Sequence, residues 1–316
     1  MTLLQAFDAD NYQFQLRVGK DRSIHSYHIM LRARNYVADF IKAWEHQSDI
    51  PLSRLQLDFI QRFSVYLSID RGLRGATIWL NCMMLKGVIL RAHRRGLINR
   101  NPFAEFHIAK NIREREYLSE DEIRLIMNHP FINPMQAYVR DLFVFSALTG
   151  MSYIDIRQLK LTDIFLLDGY RWIISSRHKT GIPFQVRLLP QAYGIIRRYA
   201  KNDKQQIFDW CEYHAIAKRL SSVLNECGIH RHITFHCARH SFAVMALNQG
   251  IPIESLSRIL GHSNIKTTQI YARITMKKLG SDFKHFENNL NPIFSEKKES
   301  LHSRIKNKIL SFLRKR

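Results

Sequence analysis

The nine residues Ala109-Lys-Asn-Ile-Arg-Glu-Arg-Glu-Tyr117 constrain this chain more than any other segment. They are polar and densely charged and interrupt apolar patterns on both sides, so one continuous core cannot run through them. Just upstream, Asn101-Pro102 breaks a helical pattern. Just downstream, Leu118-Ser119-Glu-Asp-Glu122 has the form of a capping box, in which the Ser119 hydroxyl and Glu122 carboxylate each satisfy a backbone N–H of a starting helix. A first domain over 1–105, a linker over 106–117, a second domain over 118–290 and a tail over 291–316 are expected. A length of 316 residues suits two domains of ~100–200 residues each.

The first segment reads as helical from Ser23 to about Asn101. Met30, Ala33, Val37 and Ile41 make one stripe, Phe59, Phe63 and Tyr66 a second, and Ile78, Cys82, Leu85 and Ile89 a third. The third stripe runs into Arg91-Ala-His-Arg94-Arg95-Gly96, where the glycine suits a C-terminal cap and the arginines suit the negative end of a helix dipole or a DNA phosphate. In the second segment, Tyr170–Ser175 and Phe184–Leu189 are rich in strand formers and flank the turn Lys179-Thr-Gly-Ile-Pro183. Helical patterning resumes near Gln191. The fold class expected is mainly α, a helical domain followed by a mostly helical domain carrying a small antiparallel sheet.

Charge narrows the partner. Lys and Arg number 48 against 27 Asp and Glu, a formal charge of +21, and the basic residues spread through folded-looking segments, including Arg100, Arg113 and Arg115. Such a field attracts polyanions and releases counterions on meeting phosphates, so nucleic acid is the leading partner class. No run of ~18 apolar residues and no signal peptide are present, so a soluble cytoplasmic protein is expected, with no membrane partner. Cys82, Cys211, Cys227 and Cys237 are too scattered for a disulfide framework and are read as free thiols. The dyads Cys211-x-x-His214 and Cys227-x-x-His230 are ordinary coincidences among 15 histidines, and no metal or other cofactor is expected.

Chemistry-bearing residues gather between Thr234 and Ile274: His236-Cys-Ala-Arg239-His240, then Leu260-Gly-His262, then Thr267-Thr-Gln-Ile-Tyr271. His236 and Arg239 stand three apart and share a helix face, and a turn places His262 nine residues before Tyr271. These ordered boxes closely resemble those of the tyrosine recombinase (phage integrase) family. Leu148-Thr-Gly150-Met resembles the start of that family's catalytic core, Asp155 its acidic helix position, and Arg177-His-Lys179-Thr-Gly its β-turn lysine. The resemblance covers the whole chain, the first domain being similar to the family's core-binding domain in a compact form without an arm-binding domain. It implies a two-domain clamp on duplex DNA; Arg91, Arg94, Arg95 and Arg177 are the DNA contacts expected on the sequence's own basic residues.

The resemblance also assigns roles. Tyr271 would attack a backbone phosphorus, Arg239 and His262 would hold its nonbridging oxygens, His236 would act as general base and Lys179 would protonate the departing 5′ oxygen. His240 and Asp155 would support the site. A phenol is a fair nucleophile once deprotonated and a comparable leaving group, so a phosphotyrosyl linkage stores the bond for religation. The implied activity is DNA strand transfer through a 3′-phosphotyrosyl intermediate, as in an invertase or mobile-element integrase, on paired sites and by a homotetramer built from monomers. A binding relative without catalysis and a type IB topoisomerase-like enzyme are the alternatives.

One slot departs from the pattern. The family places an arginine after the Thr-Gly-hydrophobic run, and this chain has Ser152. A hydroxyl cannot replace a guanidinium, and losing one charged donor costs roughly a hundredfold to a thousandfold in rate. Arg140, twelve residues earlier, and Arg157, five later, are the substitutes considered; Arg140 is preferred because Arg157 falls where the family carries an apolar residue. In the tail, Leu301, Ile305, Ile309 and Phe312 form an apolar stripe among basic residues, expected to dock on a neighbouring protomer or to hold phosphate.

Overall fold

A computed structural model describes residues 1–109, 116–201, 205–209, 212–271, 279–280, 282–284, 286–288 and 290. The tail stripe, Arg113, Arg115 and Cys211 lie outside the described residues. The chain divides into two compact units, Met1–Glu114 and Arg115–Arg316.

In the first unit, α1 (Leu3–Gln15), α2 (Ile24–Trp44), α3 (Leu57–Ile69) and α4 (Gly75–Arg94) share one core. Met30, Ala33, Val37 and Ile41 are all buried, as are Phe59, Phe63 and Tyr66, and Cys82, Leu85 and Ile89. Phe40 anchors this core, its ring 5.1 Å from Phe59, 5.4 Å from Tyr66 and 5.5 Å from Phe63. Tilted and edge contacts of this kind add about 0.5–1.5 kcal/mol per pair beyond burial. Phe103 and Phe106 also enter it, so this core reaches past residue 105.

Helix α1 was not expected from the pattern. It begins at Thr2, whose backbone N–H donates to Gln5 Oε1 at 3.1 Å, and it buries Leu3, Leu4 and Phe7, but also Asp10 and Asn11. Buried Asp10 is paired with Arg91 Nε at 2.7 Å and with Arg95 at 3.3 Å, which repays its desolvation. Two of the three arginines read as a phosphate grip therefore carry an internal ion pair with Asp10, although Arg95, like Arg94, stays exposed. Gly96 caps α4 with φ +73.

The second unit is built around α6 (Pro134–Thr149), which is buried on nearly every face. Asn133 caps it by accepting from the Met135 and Gln136 N–H groups, Pro134 occupies its first turn, and Gly150 ends it with φ +71. The capping box of Ser119 and Glu122 opens α5 (Glu120–Asn128), and α7 (Tyr153–Arg157) follows α6 after a tight corner. Strands β1 (Ile164–Leu167), β2 (Tyr170–Ser176) and β3 (Pro183–Arg187) form an antiparallel meander in that order. Ile173 pairs with Ile164 on one side and Val186 on the other, and Ile173, Phe184 and Val186 point inward.

Helices α8 (Pro190–Tyr199), α9 (Tyr213–Glu226), α10 (Phe235–Asn248), α11 (Ile253–Ile259) and α12 (Lys266–Gln269) complete the described unit. Helix α10 packs on α6, and α11 on β3. Ser241 of α10 accepts from the Leu118 N–H at 2.8 Å and donates to the Cys237 carbonyl, tying the start of this unit to its centre. The fold is mainly helical with one small antiparallel sheet, as the sequence implies. Among the described residues Cys82, Cys227 and Cys237 are free thiols. No helix among them is long and apolar enough to cross a membrane.

Candidate functional site

Arg239 organises the site. It sits one turn into α10 and is only 3% exposed. Its NH1 donates to the Gly150 carbonyl at 2.6 Å, and its NH2 donates to the Leu260 carbonyl at 2.6 Å. Two carbonyls from the α6 and α11 C-terminal corners thus fix the guanidinium without neutralising it. Burial, and after it the positive charge of Arg177, lower its pKa to about 10, partly offset by Tyr271 and Asp155.

The same Arg239 NH2 lies 3.0 Å from His262 Nε2. Arginine can only donate, so Nε2 accepts and the imidazole proton resides on Nδ1, 2.8 Å from Thr268 Oγ1. Burial, then Arg239, Arg177 and His236, depress the His262 pKa to about 4, leaving it neutral at pH 7. A hydroxyl both donates and accepts, so buried Thr268 can serve either tautomer of His262.

Tyr271 closes the cluster. It is 4% exposed and packs with Ala243, Ala246, Leu256 and Leu260. Its ring lies 4.7 Å from His240 and 6.3 Å from His262, nearly parallel to the latter. His240 is buried between Tyr271 and Tyr117, whose ring is 5.9 Å away. His236 is exposed on the first turn of α10 and close enough to lower the basicity of His262.

On the sheet side, Lys179 lies exposed at the tip of the β2–β3 hairpin. The hairpin closes through Arg177 N–H to the Ile182 carbonyl at 2.8 Å and Gly181 N–H to the Arg177 carbonyl at 2.7 Å. Asp155 is buried at the third position of α7 and accepts three times: from Ser152 Oγ at 2.5 Å, from His178 N–H at 3.0 Å and from Arg177 NH1 at 2.7 Å. The Arg177 stem crosses Gly261, where a Cβ would stand 2.7 Å from its Cγ.

The reading of Arg140 as the substitute for the missing arginine is corrected by the structure. Its guanidinium donates to the Met127 and His129 carbonyls at 3.2 and 2.9 Å and to Asp141 at 2.6 Å, and it covers the Phe131 ring. It ties the end of α5 to α6 and none of these partners belongs to the cluster around Arg239. Arg157 lies over the Tyr153 ring. The sequence quotes Gly150 and Gly261 within motifs without giving them a role and misses Thr268; the positive φ of +71 and +60 and the buried Thr268 hydroxyl appear only with the fold.

Comparison with known proteins gives the same picture at the level of the chain. The profile described as "Phage integrase family" matches residues 116–278, and that described as "Phage integrase SAM-like domain" matches residues 2–108. Tyrosine recombinase XerC of Lactobacillus leichmannii is 24% identical over 264 residues, covering 78% of this chain and 88% of that protein. Tyrosine recombinase XerD of Listeria innocua is 29% identical over 153 residues, 44% of this chain and half of that protein. Among solved structures, the Tn1549 transposon integrase in complex with transposon right end DNA superposes with a TM-score of 0.71 at 16% identity, covering 90% of this chain and 99% of that one. A lambda integrase dimer bound to a core site gives 0.67 at 19% identity, covering 84% and 97%.

Proposed function

The chain belongs to the phage integrase family, and from that premise we propose that it is a site-specific DNA recombinase of the invertase or mobile-element integrase type. It cuts and rejoins duplex DNA through a covalent 3′-phosphotyrosyl intermediate. The observation that carries this reading is the docking of Tyr271, buried, beside Arg239, His240 and His262 of its own chain.

In the forward step the Tyr271 oxygen bonds to phosphorus as the bond to the 5′ oxygen breaks. His236 takes the phenol proton, and Lys179, at its hairpin tip, gives a proton to the departing 5′ oxygen. Arg239 holds a nonbridging oxygen from a position already fixed by two carbonyls, so little reorganisation is needed when charge develops. His262 joins it by moving its proton to Nε2, with Thr268 reversing its own bond to accept or donate as required. His240 orients the phenol. Attack by the 5′ oxygen of a second strand reverses each transfer and releases the tyrosine, so no cofactor is consumed. The enzyme acts at the nucleoid as a homotetramer on two sites, each protomer supplying one tyrosine.

The test is covalent capture. The protein is incubated with sheared, nicked genomic DNA from its source, denatured in detergent, and the attached DNA is sequenced. Wild type is expected to retain discrete sites through the 3′ end, and Tyr271→Phe none. DNA binding without any covalent retention by wild type would instead support the binding-only reading that Ser152 favours. Attachment at arbitrary sequence with plasmid relaxation would support a topoisomerase.

A further inference from the structure

The vacant arginine slot is not simply vacant. Ser152 precedes α7, and its hydroxyl donates to Asp155 Oδ2 at 2.5 Å. The same carboxylate holds Arg177 NH1 at 2.7 Å and, through Oδ1, the backbone N–H of His178 at 3.0 Å. The serine therefore steadies the residue that aims an arginine from a different element, 25 positions along the chain and at the end of β2.

Arg177 reaches the turn on which Arg239 already rests. Its Cγ and Cδ lie 2.7 and 3.0 Å from the point where a Gly261 Cβ would stand, so the stem passes over this glycine in a space no other residue type leaves open. Gly261 lies between Leu260, whose carbonyl takes Arg239 NH2, and His262, whose Nε2 takes the same group. Arg177 depresses the basicity of both Arg239 and His262, and feels the Tyr271 hydroxyl itself, so all four occupy one electrostatic neighbourhood.

The charges gathered here do not cancel. With His262 neutral at pH 7, the cluster holds two guanidiniums against the one carboxylate of Asp155. One positive charge remains uncompensated in a largely buried place, and a phosphodiester carries one negative charge. NH1 of Arg177 is spent on Asp155, and no described hydrogen bond uses its Nε or NH2. Building on the recombinase reading above, we propose that Arg177 is a catalytic residue that grips the scissile phosphate opposite Arg239, in place of the arginine that Ser152 has displaced.

The experiment uses a nicked duplex bearing a site captured as above, and follows adduct formation in single turnover alongside DNA retention. Arg177→Ala is expected to slow adduct formation by roughly a hundredfold to a thousandfold, with retention changed by less than about threefold. Arg177→Lys keeps a partner for Asp155 and so guards against a folding defect; it cannot offer a planar fork and is expected to lose about tenfold or more. Ser152→Arg added to Arg177→Ala is expected to recover at least about tenfold over Arg177→Ala alone, which a purely structural role of Arg177 would not produce. Adduct rates within about threefold of wild type for both single variants, or no recovery in the double variant, overturn the proposal. Absence of any adduct with wild type overturns the recombinase reading and takes this assignment with it.

Discussion

Replacing Asp155 by asparagine conserves shape and removes one charge at the junction of α7 and the β2–β3 hairpin. The side chain of Asp155 is 2% exposed and that of Arg177 16%, so water replaces little of what is lost. Breaking a buried ion pair by removing one member costs about 3–5 kcal/mol, because the remaining charge stays desolvated and uncompensated. Asparagine keeps the acceptor for His178 N–H at Oδ1 but turns its amide donor toward both Ser152 Oγ, which can accept, and Arg177 NH1, which cannot, since both meet Oδ2. The lower end, about 3 kcal/mol, is therefore expected, or roughly a hundredfold in an opening equilibrium. Hydrogen exchange reads this locally, since amides report the free energy of the opening that exposes them. Peptides across 170–187 should exchange roughly a hundredfold faster in Asp155→Asn, while peptides from α2 and α3, in the other unit, serve as the internal reference and keep their rates. Acceleration of the hairpin below about fivefold, equivalent to about 1 kcal/mol, would refute the claim that this carboxylate holds Arg177 and the hairpin in place.

Gly150→Ala should destabilise the second unit by about 2–5 kcal/mol, because a residue with φ +71 resists a side chain and the added Cβ would meet Phe242 Cδ1 at 2.5 Å and Leu260 Cδ2 at 2.8 Å; a loss below about 1 kcal/mol in urea unfolding would contradict this packing. His262 has a folded pKa of about 4 against an ordinary 6.5, so the unfolded chain takes up its proton first as pH falls. The stability it confers is complete above pH 6.5 and is lost progressively toward pH 4, by about 1–2 kcal/mol once solvent screening of a half-buried ring is allowed for. His262→Gln should flatten the pH dependence of the urea midpoint across that window, and equal slopes for the two proteins would count against a buried neutral imidazole.

What the sequence made legible was what local pattern encodes. The stripes of α2, α3 and α4 follow the period of 3.6, and the Ser119 capping box is written within four residues. Helix α1 escaped because Asp10 and Asn11 stand on its buried face, and the partners that make this tolerable, Arg91 and Arg95, are some eighty residues away. Strand β1 escaped for a different reason. Its four residues Ile-Phe-Leu-Leu show no alternation and stay largely exposed apart from Ile164, so it exists through its register with β2 rather than through an inward face. In the site, the boxes around Arg239, His262 and Tyr271 could be quoted from the sequence, but the separation between Ser152 and Arg177 carries no local signal. Arg140 drew the substitute role because the nearer Arg157 falls at a position the family keeps apolar, and the structure spends Arg140 on helix-end carbonyls instead.

The relocation of an arginine has a physical consequence for how such a site can vary. A phosphate clamp needs donors whose positions are fixed before the anion arrives, since reorganisation at the moment of reaction would consume the stabilisation they give. Arg239 meets that need through two carbonyls, which orient a guanidinium without lowering its charge. Arg177 meets it through Asp155, which orients and also offsets its charge. A third guanidinium at position 152 would face the same single carboxylate, and it would remove the Ser152 hydroxyl that holds this carboxylate in place. As it stands the cluster sets two guanidiniums against one carboxylate, and an arginine at position 152 added to Arg177 would raise that to three. Serine at that slot is then a working part of the clamp, since its hydroxyl fixes the acid that fixes the second arginine.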